Sequence, residues 1–297
     1  LTKITLKSII VALLNDALDW YLRQIELPGP HPQATDEGVK LKTIPLSKTN
    51  DNSKITYKSA IALQLARQSG PTELAQKLVQ YCRHRGVATS RSNTPHISQK
   101  PGFFKKPGFL GEKPGFSTAH LEIKVVPPGL LLFELTDSGI AAWLQYFCEE
   151  LSLSVVERDL PFLVAEDLFK IQYSHARCCS LLRIADVIFP VPISWQETDF
   201  KLRFNHPAES RLISQIFSTW DLLYFPIATP QEINWQKIAT ALSEAFQNFY
   251  SECRILGEVK SDNPELAKAR LGLISIAKYL LQFLLEEKLK VKAPTEL

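Results

Sequence analysis

The sequence predicts a mostly α-helical protein in two parts: an α+β domain over residues 1–150, with helices and a small antiparallel sheet, then an all-α helical bundle over residues 151–297. Three observations carry this expectation. Apolar residues recur at helical spacing in segment after segment of the second half. Leu121–Val126 and Leu130–Leu135 are apolar or alternating stretches on either side of Pro127-Pro128-Gly129, the pattern of two strands around a turn. A chain of 297 residues with 45% hydrophobic and 10% aromatic content can bury one large or two ordinary cores.

The elements follow in order. Leu6–Ile25 reads as an amphipathic helix through Ile9, Ile10, Leu13, Leu14, Ala17, Leu18 and Tyr21, stopped by Pro28, Gly29 and Pro30. Lys42–Leu46 is expected as a short strand. Tyr57–Gln68 and Thr72–Cys82 are expected as two helices broken at Gly70-Pro71, where Pro and Thr suit a helix start. After the two strands, Ser138–Leu151 returns to helix with Ser138 as its expected N-cap. The second half then offers helices at Ala165–Phe189, Ala208–Leu223, Trp235–Tyr250 and Pro264–Lys290, each with an apolar stripe, which together make a bundle.

Charge is distributed unevenly. The formal net charge is +3, but Asp51–Val126 holds 12 Lys/Arg against 4 Asp/Glu, whereas Glu149–Leu297 holds 16 against 20. A basic middle segment suits contact with a phosphate backbone. Five cysteines without C-x-x-C spacing argue against a disulfide framework or a zinc ribbon and fit a reducing cytoplasm; each is expected to be a small buried apolar residue. No apolar run reaches the roughly 18–20 residues that span a bilayer, and the first residues do not read as a signal peptide.

Residues 86–118 form an expected loop far longer than the roughly 12–15 residues at which loops become functional or disordered. It repeats KPGF three times, at Lys100, Lys106 and Lys113. Two readings stand: a disordered low-complexity insertion, or a basic arm in which Phe103, Phe104, Phe109 and Phe116 stack on bases while Lys105 and Lys106 meet phosphates. Docking of a protein on this loop is a third.

Gln172–Arg183 reads QYSHARCCSLLR, Asn248–Leu256 reads NFYSECRIL, and ARLGLISIAKYLLQFLL precedes a terminal Ala-Pro-Thr-Glu-Leu. In that order these segments resemble the helical DALR anticodon-binding domain at the C-terminus of arginyl-tRNA synthetases. AIALQLA (Ala60–Ala66), GPTELAQKLV (Gly70–Val79) and PPGLLLFELT (Pro127–Thr136) resemble the additional N-terminal domain of the same enzymes. The last of these departs from the family, whose Gly-Pro-Gly turn presents an aromatic and a polar residue to a D-loop base. Here Leu130 and Leu132 stand at those positions, and neither can hydrogen-bond a base.

The catalytic domain that the family inserts between these ends is not expected in this chain. Phe147–Phe169 is little more than a linker, while a nucleotide-binding α/β domain needs on the order of a hundred residues. No His-x-Gly-His motif, Lys-Met-Ser-Lys-Ser-like loop, Walker loop or G-x-G-x-x-G is present. No histidine pair has metal-ligand spacing, and Ser174-His175 cannot act as nucleophile and base, because adjacent helical side chains diverge by about 100°. The expectation is therefore a non-enzyme with no cofactor and no metal.

The expected RNA-binding residues are Tyr173, His175, Arg177, Tyr250, Arg254 and Leu297, with Lys105 and Lys106 on the loop. Tyr173 and Arg177, four apart, share one helix face and pair a ring with a guanidinium, as an unpaired base and its phosphate require. Tyr250 and Arg254 repeat the spacing. The resemblance implies that the first helix and the C-terminal residue reach the anticodon. The alternative is structural: Tyr173 and His175 pack the bundle and Arg177 caps a carbonyl or pairs with an acid, while Arg183 is read as structural. The partner expected is tRNA. A protein-interaction scaffold that has lost RNA binding, and an accessory subunit acting in trans on an aminoacyl-tRNA synthetase, are the rival readings; no membrane partner is expected.

Overall fold

The computed structural model describes residues 3–25, 44–66, 70–88, 120–152, 161, 166–188, 204–225, 233–255, 257 and 262–297. These fall into two units, one of Leu6–Thr49 and Thr56–Gly139, the other of Leu1–Thr5, Asn50–Ile55 and Ile140–Leu297. Mostly helical overall, the chain has the expected α+β first part and helical second part. The KPGF segment lies outside the described residues.

In the first unit, strands β1 (Leu46–Lys48), β2 (Thr56–Ser59), β3 (Leu121–Val126) and β4 (Leu130–Leu135) form one antiparallel sheet in the order β1-β2-β4-β3. Alternation decides which face is buried. Tyr57, Ile123, Leu131, Phe133 and Leu135 point inward and are buried. The outer face carries Leu132 in register between Lys58 and Lys124. Helix α1 (Leu6–Ile25) buries the stripe Ile9, Ile10, Leu13, Leu14, Ala17 and Leu18. Against it and the sheet packs α3 (Pro71–Ala88) through Leu74, Ala75, Leu78, Val79 and Cys82. Trp20 and Tyr81 stack across the α1–α3 pair at 5.0 Å.

Two local expectations are corrected. The segment expected as a helix over Tyr57–Gln68 is strand β2 followed by the short helix α2 (Ile61–Leu65). Thr56–Ser59 alternates half-buried, buried, exposed, buried and pairs with β4, so cross-strand packing overrides the helical spacing of the apolar residues beyond it. The N-cap of α4 (Asp137–Ser152) is Thr136 rather than Ser138: Thr136 Oγ1 accepts from the Gly139 amide at 3.2 Å and also donates to the His120 carbonyl at 3.1 Å. Gly139 is confined there, since an added Cβ would meet the His120 carbonyl oxygen and a Leu135 methyl at 2.7 Å.

The hairpin turn between β3 and β4 sits on the start of α3. Gly129 has φ +143°, and a Cβ at that position would lie 2.8 Å from the Pro71 carbonyl carbon and oxygen. Thr72 Oγ1 donates to the Pro128 carbonyl at 2.9 Å, which fixes the same junction from the other side. Leu130 and Leu132 emerge half-buried on the outer sheet face.

The second unit is a bundle of α5 (Glu166–Ile188), α6 (Pro207–Tyr224), α7 (Trp235–Glu252) and α8 (Pro264–Phe283), with the Ile140–Ser152 part of α4. Trp143, Phe147, Phe217 and Trp220 form an aromatic core, with Phe147 and Trp220 ring centroids 4.5 Å apart. The segment Lys3–Thr5 closes one end of it. Tyr146 Oη accepts from the Ile4 amide at 3.0 Å, and Trp220 Nε1 donates to the Ile4 carbonyl at 2.8 Å. Lys3 Nζ donates to Tyr279 Oη at 2.9 Å and lies 5.0–5.3 Å from the Trp220, Tyr224 and Tyr279 ring centroids.

A buried ion pair ties α6 to α8. Arg270 Nε meets Glu209 Oε1 at 2.7 Å, and its Nη1 donates to the Arg254 carbonyl. The other Glu209 oxygen accepts from the His206 amide at 2.9 Å, while His206 Nδ1 accepts from the Ala208 amide, so one carboxylate closes a capping box and a salt bridge together. The helix expected over Pro264–Lys290 ends earlier. After Phe283 it opens into a single π turn, Leu284–Lys288, and Lys290 at φ +59° turns the chain back. The remaining tail is extended and lies on α5.

Candidate nucleic-acid interface

Helix α5 is buried on most of its circumference. Ile171, Gln172, Ser174, His175, Ala176, Cys178, Cys179 and Leu181 are all buried, so polar residues face inward and need partners. The C-terminal tail supplies several. Gln172 Nε2 donates to the Lys292 carbonyl at 3.1 Å, and His175 Nδ1 donates to the Pro294 carbonyl at 2.8 Å. Arg183 reaches the Glu296 carboxylate and, through Nη2, the Thr295 carbonyl at 3.4 Å. The tail is thus tied along α5 at four successive points, ending at Leu297, which is 56% exposed.

On the α7 side the contacts are hydroxyls and an amide. Ser174 and Ser243 share a hydrogen bond at 2.6 Å, Gln247 Nε2 donates to Ser174 Oγ at 2.8 Å, and Ser243 Oγ donates to the Lys170 carbonyl at 3.1 Å. This network fixes α5 against α7 and so fixes the residues that remain outside. Among those are Phe169 and Tyr173, 46% and 42% exposed, with ring centroids 6.3 Å apart and planes inclined by 26°. One turn further on, the Arg177 guanidinium lies over the Tyr250 ring, 4.7 Å from its centroid, and Nη2 donates to Tyr250 Oη. Arg177 Nε is buried without a hydrogen-bond partner among the described residues.

The expected residues therefore separate. Tyr173, Arg177 and Tyr250 are brought together on one side of the α5–α7 pair. His175 is not on that surface: it is 1% exposed, bonded to the tail, and burial pushes its imidazole down to about 4, so it is a neutral internal donor. Arg254 is exposed but lies past the end of α7 at Glu252, so the Tyr250–Arg254 spacing is not a helical pair; the guanidinium beside Tyr250 comes from α5. Lys105 and Lys106 lie outside the described residues. Phe169 was missed, although its position four residues before Tyr173 is the spacing of neighbours on a helix.

Burial raises the Cys82 thiol to about 12 and the Cys253 thiol to about 11, and Cys178 and Cys179 are also raised, which keeps these sulfurs protonated and unreactive. Among the described residues no three His, Cys, Asp or Glu side chains gather as a metal site requires. No helix among them is long and apolar enough to cross a membrane. What the surface offers is a pair of open rings, a ring-stacked guanidinium and the Gln247 amide held by Ser174, a set suited to a stacked and hydrogen-bonded planar ligand.

Residues 171–297 match the family described as DALR anticodon binding domain. Its relatives include the arginine–tRNA ligase of Moorella thermoacetica, 35% identical over 128 residues that make up 43% of this chain and 22% of the ligase. The arginine–tRNA ligase of Synechococcus sp. (strain JA-3-3Ab) is 35% identical over 130 residues, 42% of this chain and 21% of the ligase. The similarity to the arginine–tRNA ligase of Pelodictyon phaeoclathratiforme is longer, 26% over 226 residues, 68% of this chain and 39% of the ligase. The chain thus aligns with between about a fifth and two fifths of the length of these relatives. No solved structure matches it significantly.

Proposed function

We propose that this chain is a non-catalytic, cytoplasmic tRNA-binding protein related to the tRNA-recognition ends of arginyl-tRNA synthetases. The observation that carries the reading is the open Phe169–Tyr173 ring pair beside the Arg177–Tyr250 stack, on the first helix of a domain described as anticodon binding. Unpaired loop bases are recognised by stacking on aromatic rings and guanidinium planes, and both are presented together here. Tyr173 and Arg177 contact bases in this reading, with Tyr250 holding Arg177 in place. Leu297 adds an apolar contact, Arg254 meets a phosphate, and His175 is an internal strut.

The test is equilibrium binding of a tRNA and of a random RNA duplex over a salt series. The expected result is preference for the tRNA, with log affinity falling linearly with log salt. Tyr173→Ala is expected to weaken tRNA binding about tenfold through loss of one stacked base. Equal affinity for duplex and tRNA, or no effect of Tyr173→Ala, overturns the reading and leaves the protein-scaffold role.

One observation favours a second role built on the first. The relatives that the chain aligns with are arginine–tRNA ligases, which keeps aminoacylation within the reading. An accessory subunit acting in trans would raise the charging rate of a separate arginyl-tRNA synthetase; an unchanged rate removes that role.

A further inference from the structure

We propose that Trp220, Tyr224 and Tyr279 form a cage for a small quaternary ammonium ligand, and that the Lys3 side chain is a tethered plug which such a ligand displaces. The Lys3 ammonium lies 5.3 Å from the Trp220 ring centroid, 5.2 Å from that of Tyr224 and 5.0 Å from that of Tyr279. All three distances fall within the roughly 6 Å at which a ring face attracts a cation. The rings stand on α6 and α8, so the site shares no residue with the candidate nucleic-acid interface and does not rest on the RNA-binding reading.

The core builds the cage independently of its occupant. Trp220 and Tyr224 are one helical turn apart on α6 and project from the same face. Their ring centroids are 4.7 Å apart and their planes are inclined by 57°, which makes a corner. Trp220 is buried and packs on Phe147 from behind. Phe283 braces Tyr224 at 5.9 Å and Tyr279 at 6.1 Å between centroids. The Glu150 carboxylate acts on both the Tyr146 and the Tyr224 hydroxyls, which brings negative charge beside the rings. Rings held in this way, with a carboxylate near them, favour a cation over a neutral guest of the same size.

Lys3 fills the cage imperfectly. A primary ammonium is a strongly hydrated ion with three donors to satisfy. Among the described residues one donor is met, by Tyr279 Oη at 2.9 Å. A quaternary ammonium has no N–H to satisfy, and aromatic faces suit it better. The tether keeps Lys3 in place, acting as a competing ligand on the order of millimolar. Its side chain is half-buried, so removing it opens the cage to solvent. The Ile4 backbone is held separately by Trp220 Nε1 and Tyr146 Oη, so the plug can leave while the segment stays bound.

The test is isothermal titration calorimetry of tetramethylammonium chloride into the unaltered chain and into Lys3→Ala. Sodium chloride and tert-butyl alcohol, a neutral near-isostere, serve as controls, and far-UV circular dichroism checks the fold of each variant. Lys3→Ala is expected to bind tetramethylammonium about tenfold tighter than the unaltered chain, because the tethered competitor is gone. Adding Tyr279→Leu to Lys3→Ala is expected to weaken that binding about fivefold, the share of one ring. No binding by folded Lys3→Ala, equal binding of tert-butyl alcohol, or no effect of Tyr279→Leu overturns the proposal. If Lys3→Ala does not fold, the unaltered chain decides, with lysines acetylated by an N-hydroxysuccinimide ester and followed by mass spectrometry. Tetramethylammonium chloride is expected to speed labelling of Lys3 about threefold over sodium chloride at equal ionic strength, while exposed Lys237 on α7 labels equally in both salts. Equal rates at Lys3 in the two salts overturn the proposal.

Discussion

Arg177 on α5 and Tyr250 on α7 form a stacked, hydrogen-bonded pair across two helices, with 4.7 Å between the guanidinium carbon and the ring centroid. The pair converts a mobile cation into a planar surface held at fixed height beside Tyr173. A double-mutant cycle with Arg177→Ala and Tyr250→Leu, read by urea denaturation, is expected to show a coupling of about 0.5–2 kcal/mol. Additive effects would show that the two side chains do not support each other.

His175 makes stability depend on pH. Its ordinary value is near 6.5 in the unfolded chain, and burial holds it down to about 4 in the fold. Between those values the unfolded chain binds the extra proton and the fold does not. Stability is therefore fully present above about pH 6.5 and is lost as pH falls towards about 4. The expected loss between pH 7 and pH 5 is about 2 kcal/mol. His175→Gln, which can still donate to the Pro294 carbonyl but does not titrate, is expected to remove this part of the slope in urea midpoints measured at the two pH values.

The Glu209–Arg270 pair is expected to be costly to break. Arg270→Ala leaves a carboxylate that is fully buried, facing only the His206 amide, and is expected to destabilise the helical unit by about 3–5 kcal/mol. Glu209→Gln with Arg270→Met, measured in the same urea series, should recover much of that loss, because neither charge is then stranded.

Gly129 tests the hairpin. Gly129→Ala combines a φ that L-residues rarely adopt with a 2.8 Å approach to the Pro71 backbone. A loss of about 1–3 kcal/mol is expected. Thr72→Val, which removes only the bond to the Pro128 carbonyl, is expected to cost about 1 kcal/mol. Comparable small losses for both would mean that the turn has room to shift.

Much of the fold was legible because the signals were periodic. The stripe Ile9–Leu18 places α1, and Pro71 and Pro264 mark helix starts that the structure keeps. Where sequence reading failed, a non-local partner decided. Thr56–Ser59 becomes a strand because β4 lies beside it, a fact carried by residues more than seventy positions away. The inward turn of Gln172 and His175 is satisfied by carbonyls of the tail, and no local pattern reveals those acceptors. For the same reason Tyr250 finds its guanidinium on another helix rather than four residues along its own. The rings of the candidate interface were readable as types; their partners were not.

Lys3 and Ile4 are bound into an aromatic cap made by Tyr146, Trp220 and Tyr279. The helical bundle of the second unit is for that reason discontinuous in sequence. Excising it at Ile140 would strip the indole N–H of its acceptor, the Tyr146 hydroxyl of its donor, and three rings of the ammonium they enclose.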